Sequence, residues 1–446
     1  MLQLFQLYRD QNLWEQARDV ADMWIRSSPT GWPPEWVDPL DQVAVCSFLQ
    51  SFLQSVSNFV LIDTFVEKLA ERCQEEAISN RSVETLRRAA AVLSYSGVIQ
   101  RLRERPMQAL EIEQRSTQMR ECIIEEFGSR CGLLHDFAIS LQRLGDLQRD
   151  TGEPDVAKVT FEKGVSISDR NLSSYGMRIE SIRDSIGFLV RLGGLVAKSD
   201  HRELAIPYFE RASHLISRAI PLFPGEADLV CDHCSLLLQN GETRMLLNDH
   251  EGAIQQFESA ITLEHQLIER RFRLPKTMSE LSILLLKKGT SYFELDNHPK
   301  AIATLCESER VCRQRREAFG ASVSVRRDLS VVLERKAIVE LNRKNGPAAK
   351  SDLVECVALR KGILTEAENS HEAIRQTAVA EMYLAICVCT EGHTNDASHH
   401  LKSGLERLDA IFAAGVGTSQ DAARRETIRG ILEEVKCKGC PSATHI

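Results

Sequence analysis

The chain has 446 residues, of which 43% are apolar and 26% are charged, and it carries a net charge of −8. This acidic balance disfavours a nucleic-acid-binding scaffold, which usually carries a basic excess. The sequence has no run of about 20 apolar residues of the kind that spans a membrane, and its first residues lack a signal-peptide pattern. Thirteen cysteines, mostly within helical patterns, favour a reducing compartment. We therefore predict a cytoplasmic protein without nucleic-acid or membrane partners.

Residues 1–28 resemble half of a helical repeat, in which Tyr8, Ala17, Ala21 and Trp24 occupy the expected positions. We predict a partial or capping helix pair here. Its first helix is cut short at Met1, which fits either an unusual cap or a piece of a longer protein. We favour the second interpretation, in which a preceding domain carries any chemistry.

Residues 29–40 form a connection rich in proline and tryptophan, where four prolines and a glycine exclude a regular element. We interpret it as a loop that covers the open end of the first helix pair, since repeat arrays need capped ends. The alternative is a docking patch for a preceding domain. Residues 41–82 read as a degenerate repeat, because bulky residues such as Leu61 and Phe65 replace the small ones found later.

Residues 83–414 contain seven units that repeat every 48 residues, a signal that decides the architecture. One position is always small, and it holds Gly97, Gly145, Gly193, Gly241, Gly289, Ala337 and Ala385. A second position is alanine in every unit: Ala109, Ala157, Ala205, Ala253, Ala301, Ala349 and Ala397. A third is bulky and apolar in all units but the first: Glu113, Phe161, Phe209, Phe257, Leu305, Leu353 and Leu401. A fourth is small again: Ser116, Gly164, Ala212, Ala260, Ser308, Cys356 and Gly404.

These residue types predict pairs of closely packed helices. Small side chains let two helices approach, and the bulky residue between them fills the seam. A spacing of i, i+4 and i+7 places the last three positions on one helical face. One pair cannot bury that face alone, so neighbouring pairs must stack. The fold class that we predict is all-α, a right-handed α-solenoid of antiparallel helix pairs.

The repeated residues resemble the tetratricopeptide repeat, whose consensus has Leu-Gly in the first helix and Ala, Phe and Ala in the second. Leu192-Gly193, Ala205, Phe209 and Ala212 match it well. The usual repeat has 34 residues, so this chain is similar to a variety with long helices. The resemblance implies binding of a protein or peptide, and implies no particular ligand because the fold serves many roles.

The C-terminal part is predicted to contain a capping helix over residues 419–436 and a flexible tail over 437–446. Cys437 and Cys440 in this tail, and Cys231 and Cys234 within a helix, form two CxxC motifs. A zinc site needs four converging ligands, and these pairs are some 200 residues apart. We predict no metal site, no cofactor and no catalytic residues.

A possible binding surface follows from one further position of the repeat, which holds Arg87, His135, Arg183, Cys231, Ser279, Arg327 and Arg375. By analogy with the family, first helices line the concave groove, which would also contain Leu238, Met245, Leu286 and Phe293. The arginines and histidine would then form a basic ladder for an acidic peptide. The alternative is structural, because the next position is acidic in most units: Asp136, Asp184, Asp232, Glu280 and Asp328. Exposed Arg–Asp pairs would then only align neighbouring repeats.

The preferred function is a non-enzymatic scaffold that binds a peptide or protein segment in its groove. The alternative is a sensory or regulatory segment of a larger bacterial effector, such as a kinase, protease or NTPase. In that case its partner is an effector enzyme domain or subunit, encoded upstream or in another chain.

Overall fold

The computed structural model describes residues 70–71, 73–272, 274–366 and 370–438. The predictions for residues 1–28, 29–40 and 439–446, and for most of 41–82, lie outside the described residues. In the described part, the structure is helical and contains no strand. The chain divides into two compact units, unit 1 (Met1–Ala219) and unit 2 (Ile220–Ile446).

After a helical segment over residues 73–79, unit 1 contains six α-helices: α1 (Val83–Leu102), α2 (Pro106–Phe127), α3 (Cys131–Asp150), α4 (Pro154–Tyr175), α5 (Ile179–Val196) and α6 (Ile206–Ala219). Unit 2 contains nine: α7 (Ala227–Leu246), α8 (His250–Glu269), α9 (Leu274–Glu294), α10 (His298–Phe319), α11 (Val323–Asn342), α12 (Gly346–Glu366), α13 (His371–Thr390), α14 (Thr394–Ala413) and α15 (Ser419–Lys438). Odd-numbered helices up to α13 are the first helices of pairs 1 to 7, and the even-numbered helices are the second.

The turn between the two helices of a pair is built in the same way in nearly every pair. It contains one residue in the left-handed region, where φ lies between +55° and +88°. Such a residue ends the first helix and satisfies its last carbonyls. The six positions are again 48 residues apart, except at pair 3: Glu104, Gly152, Asn248, Asp296, Lys344 and Gly392.

Pair 3 differs because of Pro207, which the sequence places slightly inside the second helix and which we expect to bend it. A 3₁₀ turn, Arg202–Ala205, comes first, and α6 then begins at Ile206. Pro207 is therefore in the first turn of the α-helix, where its missing N–H has no intrahelical partner to lose. The proline delays the start of the helix.

The seam between the two helices of a pair is the buried core. All seven repeated alanines are 0% exposed, and the bulky residue four positions later is at most 1% exposed. A Cβ atom added to Gly241 would lie 2.3 Å from Cε1 of Phe257, and one at Gly145 would lie 2.3 Å from Phe161. The glycine is needed because the phenylalanine ring lies against its Cα. Where alanine replaces glycine, at Ala337 and Ala385, the opposing residue is the smaller leucine.

The second small position is explained by a main-chain contact. The Ser116 hydroxyl donates to the carbonyl of Ala90 at 2.9 Å, and Ser308 donates to Ser282 at 2.7 Å. Each acceptor lies 26 residues earlier, in the first helix of the same pair. At Gly404 an added Cβ would lie 3.3 Å from the equivalent carbonyl. Only a small residue fits there.

The C-terminal helix packs its apolar side on pair 7. Ile428, Ile431, Leu432 and Val435 share a buried cluster with Ala378 and Leu401. The helix continues to Lys438, so the sequence-based boundary at 436 is too early. Residues 437 and 438 contain no helix breaker and extend the last turn.

Candidate binding surface on the first helices

Most ladder positions of unit 1 are joined to an acid of the next first helix. Nε of Arg87 lies 2.7 Å from Oδ2 of Asp136, and Nδ1 of His135 lies 2.7 Å from Oδ2 of Asp184. The hydrogen bond to Asp184 raises the pKa of His135, although burial opposes it. Arg183 lies exposed on α5 and has an interaction partner as well.

Unit 2 repeats this arrangement at two of its ladder positions. The Ser279 hydroxyl donates to Oδ2 of Asp328 at 2.9 Å, which is the same link with a neutral donor. Nε of Arg375 lies 2.9 Å from Oδ2 of Asp421, a fully buried carboxylate at the start of α15. The geometry at these positions matches the structural alternative, in which the pairs hold neighbouring helices in register.

Arg327 departs from the pattern. The residue 49 positions later, where an acid is expected, is Gln376, and its amide donates to Glu372 on the same helix at 2.9 Å. Arg327 is exposed on α11 and forms no ion pair with any residue that the structure describes. The sequence removes the acid at this one position of the ladder.

A second line of cations lies eight residues after the ladder and was missed by the sequence analysis. It contains Arg143, Arg191, Lys287 and Arg335, with partners that come 45 residues earlier where these are acidic. Arg191 lies 2.9 Å from Asp146, and Lys287 lies 2.8 Å from Glu242. Arg143 instead donates to Ser94 and lies 5.8 Å from the centre of the Tyr95 ring.

Arg335 is the exception in this second line, as Arg327 is in the first. The position 45 residues before it is Thr290, whose hydroxyl donates to the carbonyl of Leu286 at 2.9 Å. Arg335 forms no ion pair within the described parts of the chain. Both cations that lack an acid are therefore on α11. A search of the sequence for the paired positions would have found them, because Gln376 and Thr290 interrupt two acidic lines.

Apolar side chains lie between these two cations. Val331 is one turn after Arg327 and one turn before Arg335, and a spacing of i, i+4 and i+8 keeps all three on neighbouring parts of one face. The equivalent residues of the flanking first helices, Ile283 and Val379, are half-buried as Val331 is. Helix α11 packs against both α9 and α13. We call these five residues the α11 face.

The four apolar residues predicted for the groove are partly used by the core. Leu238 and Met245 pack against the cluster around Phe257. Leu286 and Phe293 pack against the cluster around Leu305, and the Phe293 ring also lies 5.5 Å from that of His298. Each is half-buried, so each keeps some surface that a ligand can contact.

The cysteine motifs offer no converging ligands in the described residues. Cys231 and Cys234 are buried in α7, and burial raises the pKa of the Cys234 thiol. Cys437 is exposed, and Cys440 lies outside the described residues. No group of three or more potential metal ligands occurs in the part of the chain that the structure describes. Nor does any described helix combine the length and apolarity that crossing a bilayer requires.

The paired helices, the glycine–phenylalanine seams and the repeated small positions define a protein with the tetratricopeptide-repeat fold. Solved structures agree. The chain is similar to a signal transduction ATPase with numerous domains (STAND) protein with a tetratricopeptide repeat sensor from Pyrococcus horikoshii, with a TM-score of 0.53 and 11% identity. That match covers 94% of this chain and 55% of the other, so the chain spans about half of that protein.

A second similar structure is the apo form of RapI, with a TM-score of 0.51 and 11% identity over 90% of this chain and 99% of the other. At such identities the likeness is one of fold. No protein-family model matches the sequence, and no curated protein does.

Proposed function

We propose that this protein is a non-catalytic scaffold and that its α11 face binds an acidic segment of a protein or peptide. The observation that carries the proposal is the absence of an acid beside Arg327 and Arg335, on a surface where the equivalent cations have partners. Two guanidinium groups without an ion pair are free to form bidentate hydrogen bonds with carboxylates. Val331 adds an apolar contact between them.

The spacing of the two arginines suggests the form of the ligand. Eight residues along a helix correspond to about 12 Å. An extended peptide advances about 3.3 Å per residue, so its two acidic side chains would be about four residues apart. An apolar residue between them would then contact Val331 and the flanking Ile283 and Val379. Similarity to RapI is consistent with such a role only at the level of fold.

The proposal is tested by selecting peptides from a displayed random library against the intact chain. We expect the selected sequences to contain two Asp or Glu residues about four positions apart, separated by apolar ones. One selected peptide is then labelled and titrated against the chain by fluorescence anisotropy. Each charge-assisted contact contributes enough that Arg327→Gln and Arg335→Gln should each weaken binding about tenfold.

The control is the double variant Arg87→Gln, Arg191→Gln, which removes the same charge from ion-paired positions of unit 1. It should bind the peptide with nearly wild-type affinity. Circular dichroism and thermal unfolding confirm that all variants remain folded. Selected peptides without an acidic pattern, or equal weakening by both double variants, would contradict the proposal.

A second candidate is a sensory or regulatory segment of a larger effector. It is supported by the match of nearly the whole chain to about half of a STAND protein with a tetratricopeptide repeat sensor. An antibody against the 50.2-kDa chain tests it on a native extract. A single band near that mass contradicts this candidate, and a much larger band supports it.

A further inference from the structure

A group of exposed apolar residues lies on the second helices of unit 1. Val156 and Val159 on α4 are 47% and 65% exposed, and Leu204 in the 3₁₀ turn before α6 is 54% exposed. Pro207, at the start of α6, is exposed as well. Val156 and Leu204 occupy one repeat position, and Val159 and Pro207 occupy another. We call these four residues the unit 1 patch.

The fold itself does not require apolar residues at these two positions. In the five other pairs the positions are polar, charged or small: Gln108 and Glu111, Gly252 and Gln255, Lys300 and Ala303, Ala348 and Ser351, Asp396 and His399. The seam is formed by the next residue, because Ala157 and Ala205 are both 0% exposed. The patch is therefore a departure from the repeat, confined to pairs 2 and 3.

Helices α4 and α6 lie beside each other, so the two halves of the patch belong to one surface. Nη2 of Arg211 on α6 lies 2.5 Å from Oδ1 of Asp169 on α4. Tyr208 of α6 packs against the cluster that contains Phe161 of α4. Equivalent positions on neighbouring helices of the same orientation face the same side.

Acidic side chains surround the patch. Glu153, Asp155 and Glu162 on and beside α4 are exposed and form no ion pair with any residue that the structure describes. In pair 3, Glu203 is exposed and lies 3.6 Å from His201. The cations of these turns are less available. Lys158 and Arg202 are half-buried, and Lys163 is 2.6 Å from Glu121.

An apolar centre with an acidic rim selects among possible occupants. A second copy of the chain, joined about a two-fold axis, would place the same acids opposite one another. Residues 1–69 of this chain contain more acids than bases, so they do not complement the rim either. A partner with an apolar stripe and basic flanks satisfies both features, as an amphipathic helix with Leu and Lys or Arg at i, i+3 and i+4 spacing does.

We infer that the unit 1 patch is a docking surface for a basic amphipathic helix of a partner protein. This surface is separate from the α11 face, lies in the other unit and selects the opposite charge. The two proposals can therefore fail independently. Apolar contact with Val159 and Leu204 provides the affinity, and the acids of α4 set the orientation and the salt dependence.

The test uses the full chain and a fluorescein-labelled 18-residue helix of Leu and Lys, with leucine on one face, followed by anisotropy. We expect saturable binding that weakens with added NaCl. The double variant Val159→Gln, Leu204→Gln should weaken it at least tenfold, and Asp155→Asn, Glu162→Gln should weaken it severalfold and reduce the salt dependence. Leu246→Gln, which removes a leucine that is 59% exposed in unit 2, is the matched control and should bind normally.

All of these positions are on the surface, so unfolding is checked by circular dichroism before each titration. Absence of saturable binding overturns the inference, as does equal binding by the wild type and the Val159→Gln, Leu204→Gln variant. A dimer of the wild type in sedimentation that this variant disrupts would assign the surface to a second copy and would also overturn it. Arg327→Gln, Arg335→Gln should leave binding of this probe intact, which separates this test from that of the α11 face.

Discussion

The seam inside each helix pair and the α11 face follow opposite rules. In the seam, the glycine and phenylalanine positions change together, so that Gly241 faces Phe257 and Ala337 faces Leu353. On the face, Arg327 keeps its cation while the expected acid becomes Gln376. Volume compensation preserves packing, whereas loss of a charge partner preserves nothing structural. Compensated changes thus indicate the fold, and uncompensated changes indicate surfaces for binding.

The largest effect that we expect is a difference in sign between two identical substitutions in the seam. In Gly241→Ala the new methyl meets the Phe257 ring at 2.3 Å, and the ring is fully buried. We expect a loss of about 2–3 kcal/mol in the free energy of unfolding. In Gly97→Ala the nearest atoms are 3.4 Å away, so the better helix propensity of alanine should stabilise the protein by up to about 1 kcal/mol. Urea unfolding of both variants measures the difference, and equal destabilisation would refute the packing explanation.

The next prediction converts one kind of seam into the other. Phe257→Leu alone should destabilise by about 1–2 kcal/mol, because it leaves a cavity. Combined with Gly241→Ala it recreates the pair found at Ala337 and Leu353, where both residues are 0% exposed. The double variant should therefore lose less stability than the two single variants together, with a coupling of at least about 1 kcal/mol. Additive losses in the same urea experiment would show that the two positions do not compensate each other.

Position 264 introduces a charge into an otherwise compensated seam. In pairs 1 and 6 the equivalent residues Arg120 and Arg360 donate to main-chain carbonyls of Asp136 and Gln376. Glu264 is 0% exposed, and burial, with the nearby Glu280 carboxylate, raises its pKa to about 7. The folded state then binds a proton that the unfolded state has lost, between about pH 4.5 and pH 7. Stability should therefore fall as the pH rises through this range, by up to about 3 kcal/mol.

The substitution Glu264→Gln tests this effect, because glutamine stays neutral. The variant should match the wild type near pH 4.5, be the more stable protein at pH 8, and lose most of the slope between them. Glu251→Gln, at an exposed position of the same helix, is the control and should keep the wild-type slope. Parallel profiles for the wild type and Glu264→Gln in thermal unfolding would exclude Glu264 as the source.

Sequence alone was sufficient for the architecture because the seam repeats. Ala253, Phe257 and Ala260 recur at fixed spacing, and no other arrangement of helices explains three buried positions at i, i+4 and i+7. It could not assign the ladder, since an arginine such as Arg87 reads the same whether or not an acid faces it. That depends on which residues of the next helix lie opposite, here 49 and 45 positions away. Without this register, Arg335 and the role of Thr290 were missed.

The smallest expected effect compares two arginines of the same repeat position. Arg87 contacts Asp136 at 2.7 Å, and its side chain is 38% exposed, so the pair is screened and Arg87→Ala should cost about 0.5–1 kcal/mol. Arg327→Ala removes no ion pair and should change the free energy of unfolding by less than about 0.5 kcal/mol. Added NaCl should reduce the first loss and leave the second unchanged. Urea unfolding at two salt concentrations makes the comparison. If Arg327→Ala proves as costly as Arg87→Ala, the cation of the α11 face has a structural partner, and the binding proposal loses its main support.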